Sequence, residues 1–261
     1  MSATLLQDKV VVISGIGPGL GRSIAIQSAK AGADLVLAAR TQSRLEEVAA
    51  EVKDLGRRVV AVGTDVNVDA SAQNLLDVTL AEYGRVDALV NNAFAIPPLG
   101  DLATVDFDQT RAGFETNVLG ALRLTRLFAP GLIQTQGAVV MINSSVLRHS
   151  SRPYGAYKMS KAALLALAQS LATELGPKGV RVNSVAPGYI WADTLKKYFA
   201  YLGKKRGVDA QAIYDETAAA TDLRRLPEPD QIADAVVFMA SDLSRAITGH
   251  CLDVNCGEFH H

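Results

Sequence analysis

Val10-Val11-Val12-Ile13-Ser14-Gly15-Ile16-Gly17-Pro18-Gly19-Leu20-Gly21 is the stretch from which the rest of the chain is read. A short apolar run from Val10 to Ser14 ends in glycines, and the helical pattern Ile24, Ala25, Ala29 follows up to Gly32. The reading is strand, glycine turn, helix. Glycines at such a junction let the backbone approach a pyrophosphate, and the free amides and dipole of a helix start favour negative charge. The spacing is G-x-x-x-G-x-G at Gly15, Gly19 and Gly21, not G-x-G-x-x-G. Gly15, Gly17, Gly19, Leu20 and Gly21 are therefore candidate phosphate contacts, the bland alternative being a tight turn with no ligand.

Outward from this turn, apolar runs and helical patterns alternate. Strands are expected at Val10–Ser14, Asp34–Ala39, Arg58–Val62, Asp87–Val90, Ala138–Ile142, Val180–Val185 and Cys251–Val254. Helices are expected near Ser43–Leu55, Ala70–Tyr83, Phe107–Ile133, Tyr157–Leu175 and Asp230–Met239. This alternation predicts a single α/β domain over 1–261: a Rossmann-like, doubly wound parallel sheet of about seven strands with helices on both faces. Such sheets place ligands outside the carboxyl ends of their strands. The loops to watch are then Gly15–Gly21, Thr64-Asp65-Val66, Asn91-Asn92-Ala93, Ser144-Ser145 and Pro187-Gly188-Tyr189-Ile190. The stretch Trp191–Leu226 stands apart, rich in aromatics and charges and without clear periodicity.

Arg40 ends the second strand, twenty-one residues after Gly19, where a ribose-reading side chain is expected. An acid there would bind the two hydroxyls of NAD, whereas a guanidinium can pair with the 2′-phosphate of NADP. Ala39 and Arg40 offer no acid, so NADP is favoured and NAD remains possible. The other reading of Arg40 is a solvated arginine opening the next helix.

With 49% hydrophobic residues the chain can bury one large core, and a net charge of −1 without like-charge blocks gives no sign of a nucleic-acid or anionic-membrane surface. Cys251 and Cys256 lack a companion ligand cluster, so neither a disulfide framework nor a metal site is indicated. A reducing cytoplasm fits. No apolar run near the N-terminus reaches the length of a signal segment or membrane span. His260 and His261 carry no assigned role.

Tyr157 and Lys161 lie four residues apart in a run that carries Leu164, Leu167, Leu171 and Leu175 at helical spacing, so phenol and ammonium share one helix face. A nearby positive charge favours the phenolate, which brings the group towards general acid/base work at neutral pH. The same spacing also recurs on solvated helices.

The ordered set Ser14-Gly15-x-x-x-Gly19-x-Gly21, Asp65, Asn91-Asn92-Ala93, Asn117, Ser144, Tyr157-x-x-x-Lys161, Asn183 and Pro187-Gly188 resembles the short-chain dehydrogenase/reductase family over nearly the whole chain. The resemblance implies an NAD(P)-dependent enzyme that interconverts a secondary alcohol and a ketone, with 3-oxoacyl-thioester reduction as one version. A dinucleotide-binding regulator without chemistry is the alternative of another class. The resemblance makes Tyr157 the acid/base and gives Lys161 two tasks, lowering the phenol's pKa and holding the nicotinamide ribose. It has Ser144 bond the substrate oxygen, with Ser145 the second choice, and Asn117 anchor a relay water. It assigns Asp65 and Val66 to the adenine, the Asn91-Asn92-Ala93 turn (Asn92 and Ala93 among the contacts) to the wall beside the adenine ribose, and Pro187, Gly188 and Ile190 to the carboxamide end. A homotetramer is the implied assembly, and 191–226 the implied substrate-covering insertion.

Three positions depart from the family pattern. Phe94 stands where glycine is frequent, Ala192 where threonine is frequent with Thr194 two residues late, and Cys256 where Asn255-Cys256-Gly257 would carry glycine. Trp191, Tyr198, Phe199, Tyr201 and Tyr214 gather in one segment of a chain that is only 6% aromatic, which points to a bulky apolar substrate; the other reading is a helical pair with a core of its own.

Overall fold

The computed structural model describes residues 4–260, so His261 lies outside the described residues. Seven strands form one wholly parallel sheet: β1 Val10–Ser14, β2 Asp34–Ala39, β3 Val59–Gly63, β4 Ala88–Asn91, β5 Ala138–Ile142, β6 Arg181–Pro187 and β7 Cys251–Val254. Their order is β3-β2-β1-β4-β5-β6-β7, so the winding reverses between β1 and β4. That reversal opens the crevice in which this sheet class binds ligands.

The strands are valine-rich because both faces are covered. Val11 and Ile13 point into one core with Leu35 and Leu37, while Val10 and Val12 point into the other with Val36 and Ala38. On the first face lie α1 Leu20–Lys30, α2 Gln42–Asp54 and, from the far end of the chain, Pro229–Ala240, which supply Ile24, Leu45, Val48, Ile232 and Val236. On the second lie α3 Asp69–Tyr83, then α4 Phe107–Phe114 continuing through a wide turn at Glu115–Leu119 into α5 Gly120–Thr135, and α6 Gly155–Leu175. Leu75, Leu124, Phe128, Leu164 and Ala168 fill that side.

One expectation is corrected. The helix expected over Phe107–Ile133 is interrupted by a one-turn π-helix at Glu115–Leu119, an insertion that re-aims the residues on it. The 191–226 stretch, without clear periodicity in sequence, forms α7 Asp193–Arg206 and α8 Ala210–Ala219, the helical pair of the second reading, and α9 Pro229–Ala240 follows. Phe199, Ile213 and Leu226 make a small separate core, onto which Trp191, Leu195, Leu202 and Tyr214 pack. Three of the five gathered rings are thus spent on holding the helical pair together, with Trp191 4.5 Å from Tyr214 and 5.7 Å from Phe199 between ring centres.

Candidate active site

At the reversal, Ser14 of β1 stands in register with Asn91 of β4. Gly15 follows with φ +81°, and a Cβ there would sit 2.5 Å from Ala93 Cα, so only glycine lets the turn close on the end of β4. Asn92 Nδ2 donates to the Gly15 carbonyl at 2.7 Å, and the Gly15 amide donates to Ala38 at 2.8 Å. Asn92 therefore shapes the turn from behind. Beyond it the space is open: a Cβ at Gly17 meets nothing within 4 Å, and one at Gly19 meets only Ala192 Cβ at 3.7 Å. The first turn of α1 carries no acidic residue. An open cradle at the start of an eleven-residue helix fits a pyrophosphate.

Arg40 is exposed at the end of β2 and makes no bond to another described residue, while Arg22, nearer the turn, is held by Glu51. Asp65 closes its own loop by accepting from the Asn67 amide at 3.0 Å, and Val66 is buried. Phe94, where glycine is frequent in the family, is 57% exposed, beside Ile96 at 60%.

The second half of the site is built from side chains. Tyr157 on α6 shares a hydrogen bond with Ser144, which caps the short helical turn Ser145–Arg148 after β5 by accepting from the Val146 amide at 3.2 Å. Ser145 turns away to bond Glu258. Of the two serines, Ser144 is the one brought to the phenol. Lys161 Nζ is buried 5.8 Å from the centre of the Tyr157 ring and donates to the Ile142 carbonyl at 2.8 Å. Asn117 sits on the π-turn with Oδ1 accepting from the Ala95 amide at 2.8 Å and Nδ2 donating to the Ala95 carbonyl at 2.8 Å and to Ser160 Oγ at 3.1 Å. Ser160 in turn donates to the Tyr157 carbonyl at 2.8 Å, which ties the loop after β4 to α6.

The electrostatics correct one expectation. Burial pushes Tyr157 up to about 12, against the Ser144 hydrogen bond that pulls it down, and nearby Tyr154 pushes it further up. Lys161, expected to lower it, donates to the Ile142 carbonyl and is itself dropped to about 8 by burial. The protein by itself holds Tyr157 as a neutral phenol.

At the end of β6, the Gly188 amide donates to Val254 at 3.3 Å, and a Cβ at Gly188 would fall 2.7 Å from Glu258 Oε2. Ile190 packs on the first core, leaving Ala192, just before α7, as the residue that faces Gly19. Thr194 lies within the first turn of α7, away from that contact. Asn183 is structural, donating to the Ile247 carbonyl at 2.8 Å and accepting from the His250 amide at 3.0 Å. Cys256 adopts φ +56°, the left-handed conformation that explains glycine at this position, and both thiols are free.

Tyr154 escaped the sequence reading, and Tyr189 and Tyr198 entered it only as a loop residue and as one of the gathered rings. Tyr154, Tyr189 and Tyr198 are hydrogen-bonded to one another through Tyr154, one turn of α6 before Tyr157. Only the i, i+3 spacing of Tyr154 and Tyr157 was there to be noticed. A concavity of about 630 Å³ lies elsewhere, between α3 and α5 against Gln73, Leu119, Leu122, Arg123, Arg126 and Leu127. It holds no group of the Tyr157 centre.

A family model described as enoyl-(acyl carrier protein) reductase matches residues 15–258. The 7alpha-hydroxysteroid dehydrogenase of Escherichia coli (strain K12) is 33% identical over 254 residues, covering 97% of this chain and 94% of its own. A solved 7 alpha-hydroxysteroid dehydrogenase complexed with NADH and 7-oxo glycochenodeoxycholic acid superposes with a TM-score of 0.88 at 30% identity, covering 98% of this chain and 96% of that one. L-sorbose reductase from Gluconobacter frateurii, complexed with NADPH and L-sorbose, superposes with a TM-score of 0.93 at 29% identity over 100% of both chains. The chain belongs to the short-chain dehydrogenase/reductase family. Its activity is accordingly that of an NAD(P)-dependent oxidoreductase acting on CH–OH groups, interconverting a secondary alcohol and a ketone.

Proposed function

We propose that this enzyme reduces a bulky, largely apolar ketone, or oxidises the matching alcohol, with Tyr157 as the acid/base. The observation that carries the reading is Ser144 hydrogen-bonded to Tyr157 above a buried Lys161. When bound, the nicotinamide supplies or accepts the hydride. Tyr157 Oη gives its proton to the carbonyl oxygen in reduction and takes it back in oxidation, while Ser144 Oγ donates to that oxygen and fixes its position. The glycine turn would hold the pyrophosphate, Lys161 the nicotinamide ribose, Asp65 and Val66 the adenine, and Asn92 and Ala93 the edge beside its ribose. Pro187, Gly188 and Ile190 would flank the nicotinamide, and Asn117 would anchor a relay water beside Ser160. The neutral phenol suits ketone reduction as it stands; alcohol oxidation needs the positive charge of the oxidised nicotinamide to help remove its proton.

Arg40 supports NADP over NAD, since its guanidinium has no competing partner among the described residues. Exposed Phe94 and Ile96 support the apolar substrate, and we assign 191–226 as the segment that covers it. Reduction of 3-oxoacyl thioesters is a narrower version, and a regulator without chemistry has Tyr157, Ser144 and Lys161 together against it. We further propose a cytoplasmic homotetramer, supported by the free thiols and by the exposed Leu119 beside the α3–α5 concavity. Light scattering that returns only 27.6 kDa removes the tetramer.

A spectrophotometric screen of cyclic and long-chain ketones, with NADPH and NADH in parallel, tests the proposal. Turnover of bulky cyclic ketones, faster with NADPH, is expected. A preference for sugars of more than tenfold in kcat/KM overturns the apolar assignment, and absence of turnover throughout overturns the catalytic one.

A further inference from the structure

Close to Tyr157 stands a group of three phenols with no part in the chemistry described above. Tyr154 precedes Tyr157 by one helical turn and bonds both Tyr189, on the loop after β6, and Tyr198, on α7. Tyr189 and Tyr198 remain 36% and 40% exposed, so their hydroxyls are not sealed into the core. Of the cations on these elements, Arg148 is paired with an acid, and Lys158 and Lys196 are held by neutral groups. Lys158 donates to the His149 carbonyl at 2.7 Å and to Ser150 Oγ at 2.9 Å, Arg148 forks onto Asp253 at 3.1 Å, and Lys196 lies 5.5 Å over the Trp191 ring. Glu258, bonded to Ser145, faces Tyr189 and offers nothing to an anion.

Resting on the catalytic reading above, we propose that Tyr154, Tyr189 and Tyr198 form a second recognition point for an uncharged hydroxyl or carbonyl on the substrate, distant from the reacting carbon. Burial pushes Tyr154 up to about 12 and raises Tyr189 and Tyr198, so all three are neutral donors and acceptors at neutral pH. A hydroxyl entering such a chain exchanges hydrogen bonds without stranding a partner, whereas a carboxylate or phosphate meets three uncharged phenols and the Glu258 carboxyl beside Tyr189. With Phe94 and Ile96 exposed on the loop after β4, the substrate class that fits is a neutral oxygenated ring compound, reacting at one oxygen and held by another. The charged tail of an acyl thioester does not fit.

The test uses the full-length enzyme and three cyclic ketones of one skeleton: unsubstituted, hydroxyl-bearing and carboxylate-bearing at the same remote carbon. The wild type is expected to prefer the hydroxy ketone over both others by about tenfold in kcat/KM. In Tyr154→Phe and, separately, Tyr198→Phe, the ratio of hydroxy to unsubstituted ketone is expected to fall by about threefold to tenfold, the worth of one hydrogen bond. A merely structural role moves both substrates together and leaves that ratio alone. An unchanged ratio in both variants, or a wild type that prefers the carboxylate, overturns the inference while turnover of the unsubstituted ketone keeps the catalytic reading standing. No turnover of any member overturns both.

Discussion

The glycine turn at Gly15–Gly21 and the 191–226 segment meet where Gly19 faces Ala192, yet they are specified in opposite ways. The turn is set by backbone: a positive φ at Gly15, a carbonyl bonded by Asn92 and open space at Gly17. A side chain added at Gly15 or Gly21 works against the shape. The segment is set by side chains, with Phe199, Ile213 and Leu226 in a small core of their own and Tyr198 reaching to Tyr154. A ligand shared by every member of a fold class can be met by backbone, which has one geometry; a ligand peculiar to one enzyme must be met by side chains, which vary. Between them stands the Ser144–Tyr157–Lys161 group, held from both sides by β5 and α6.

If that division is right, variants should separate binding from chemistry. The largest effect is expected from Tyr157→Phe, which removes the acid/base but touches no part of the glycine turn. The kcat should drop by about a hundredfold to ten-thousandfold while cofactor affinity, followed by fluorescence titration, stays within about twofold. A variant that retains a tenth of the rate contradicts the role. Arg40→Ala is expected to act on the cofactor end alone, narrowing the kcat/KM gap between NADPH and NADH by about 1 to 3 kcal/mol, the range for a hydrogen bond to a charged group. An unchanged gap would leave Arg40 a solvated arginine.

Lys161→Met sharpens the comparison through stability, with a smaller effect of opposite sign. Burial holds Lys161 near 8 against 10.5 for a free lysine, so keeping it charged in the fold costs about 3 kcal/mol at pH 7. The penalty is full below pH 8 and fades as pH rises towards 10.5, because the native state sheds the proton before the unfolded chain does. Methionine removes the charge and strands the Ile142 carbonyl, at about 1 to 3 kcal/mol. The net expectation is a gain of about 1 kcal/mol at pH 7 by denaturant titration, shrinking above pH 8, with turnover and cofactor affinity both reduced. A destabilised variant with normal cofactor binding would mean that Lys161 is there for packing.

The seven strands and the reversal were legible because parallel strands buried on both faces read as unbroken apolar runs, and because the glycine turn follows the first of them directly. The π-turn at Asn117 left no mark, since slipping one hydrogen bond along a helix changes no residue type. The α7–α8 pair stood only as a second reading because α7 buries just Phe199 and Gly203, too few for a periodic stripe. Ser144 was separated from Ser145 in sequence only by resemblance, whereas in space Glu258, over a hundred residues away, claims Ser145 and leaves Ser144 to the phenol. The upward push on Tyr157 was missed for a related reason. Spacing revealed that Lys161 shares its helix face, but not how deeply the fold buries the phenol itself.

The central claim, that Tyr157 waits as a neutral phenol and becomes a base only beside the oxidised nicotinamide, is tested most directly by ultraviolet difference titration of wild type against Tyr157→Phe, with and without bound oxidised cofactor. Without cofactor, no phenolate attributable to Tyr157 is expected below pH 10, given a position pushed up to about 12. With cofactor bound, its phenolate should appear at lower pH. A phenolate already present near pH 7 in the free enzyme, or a titration that cofactor does not move, would contradict the account.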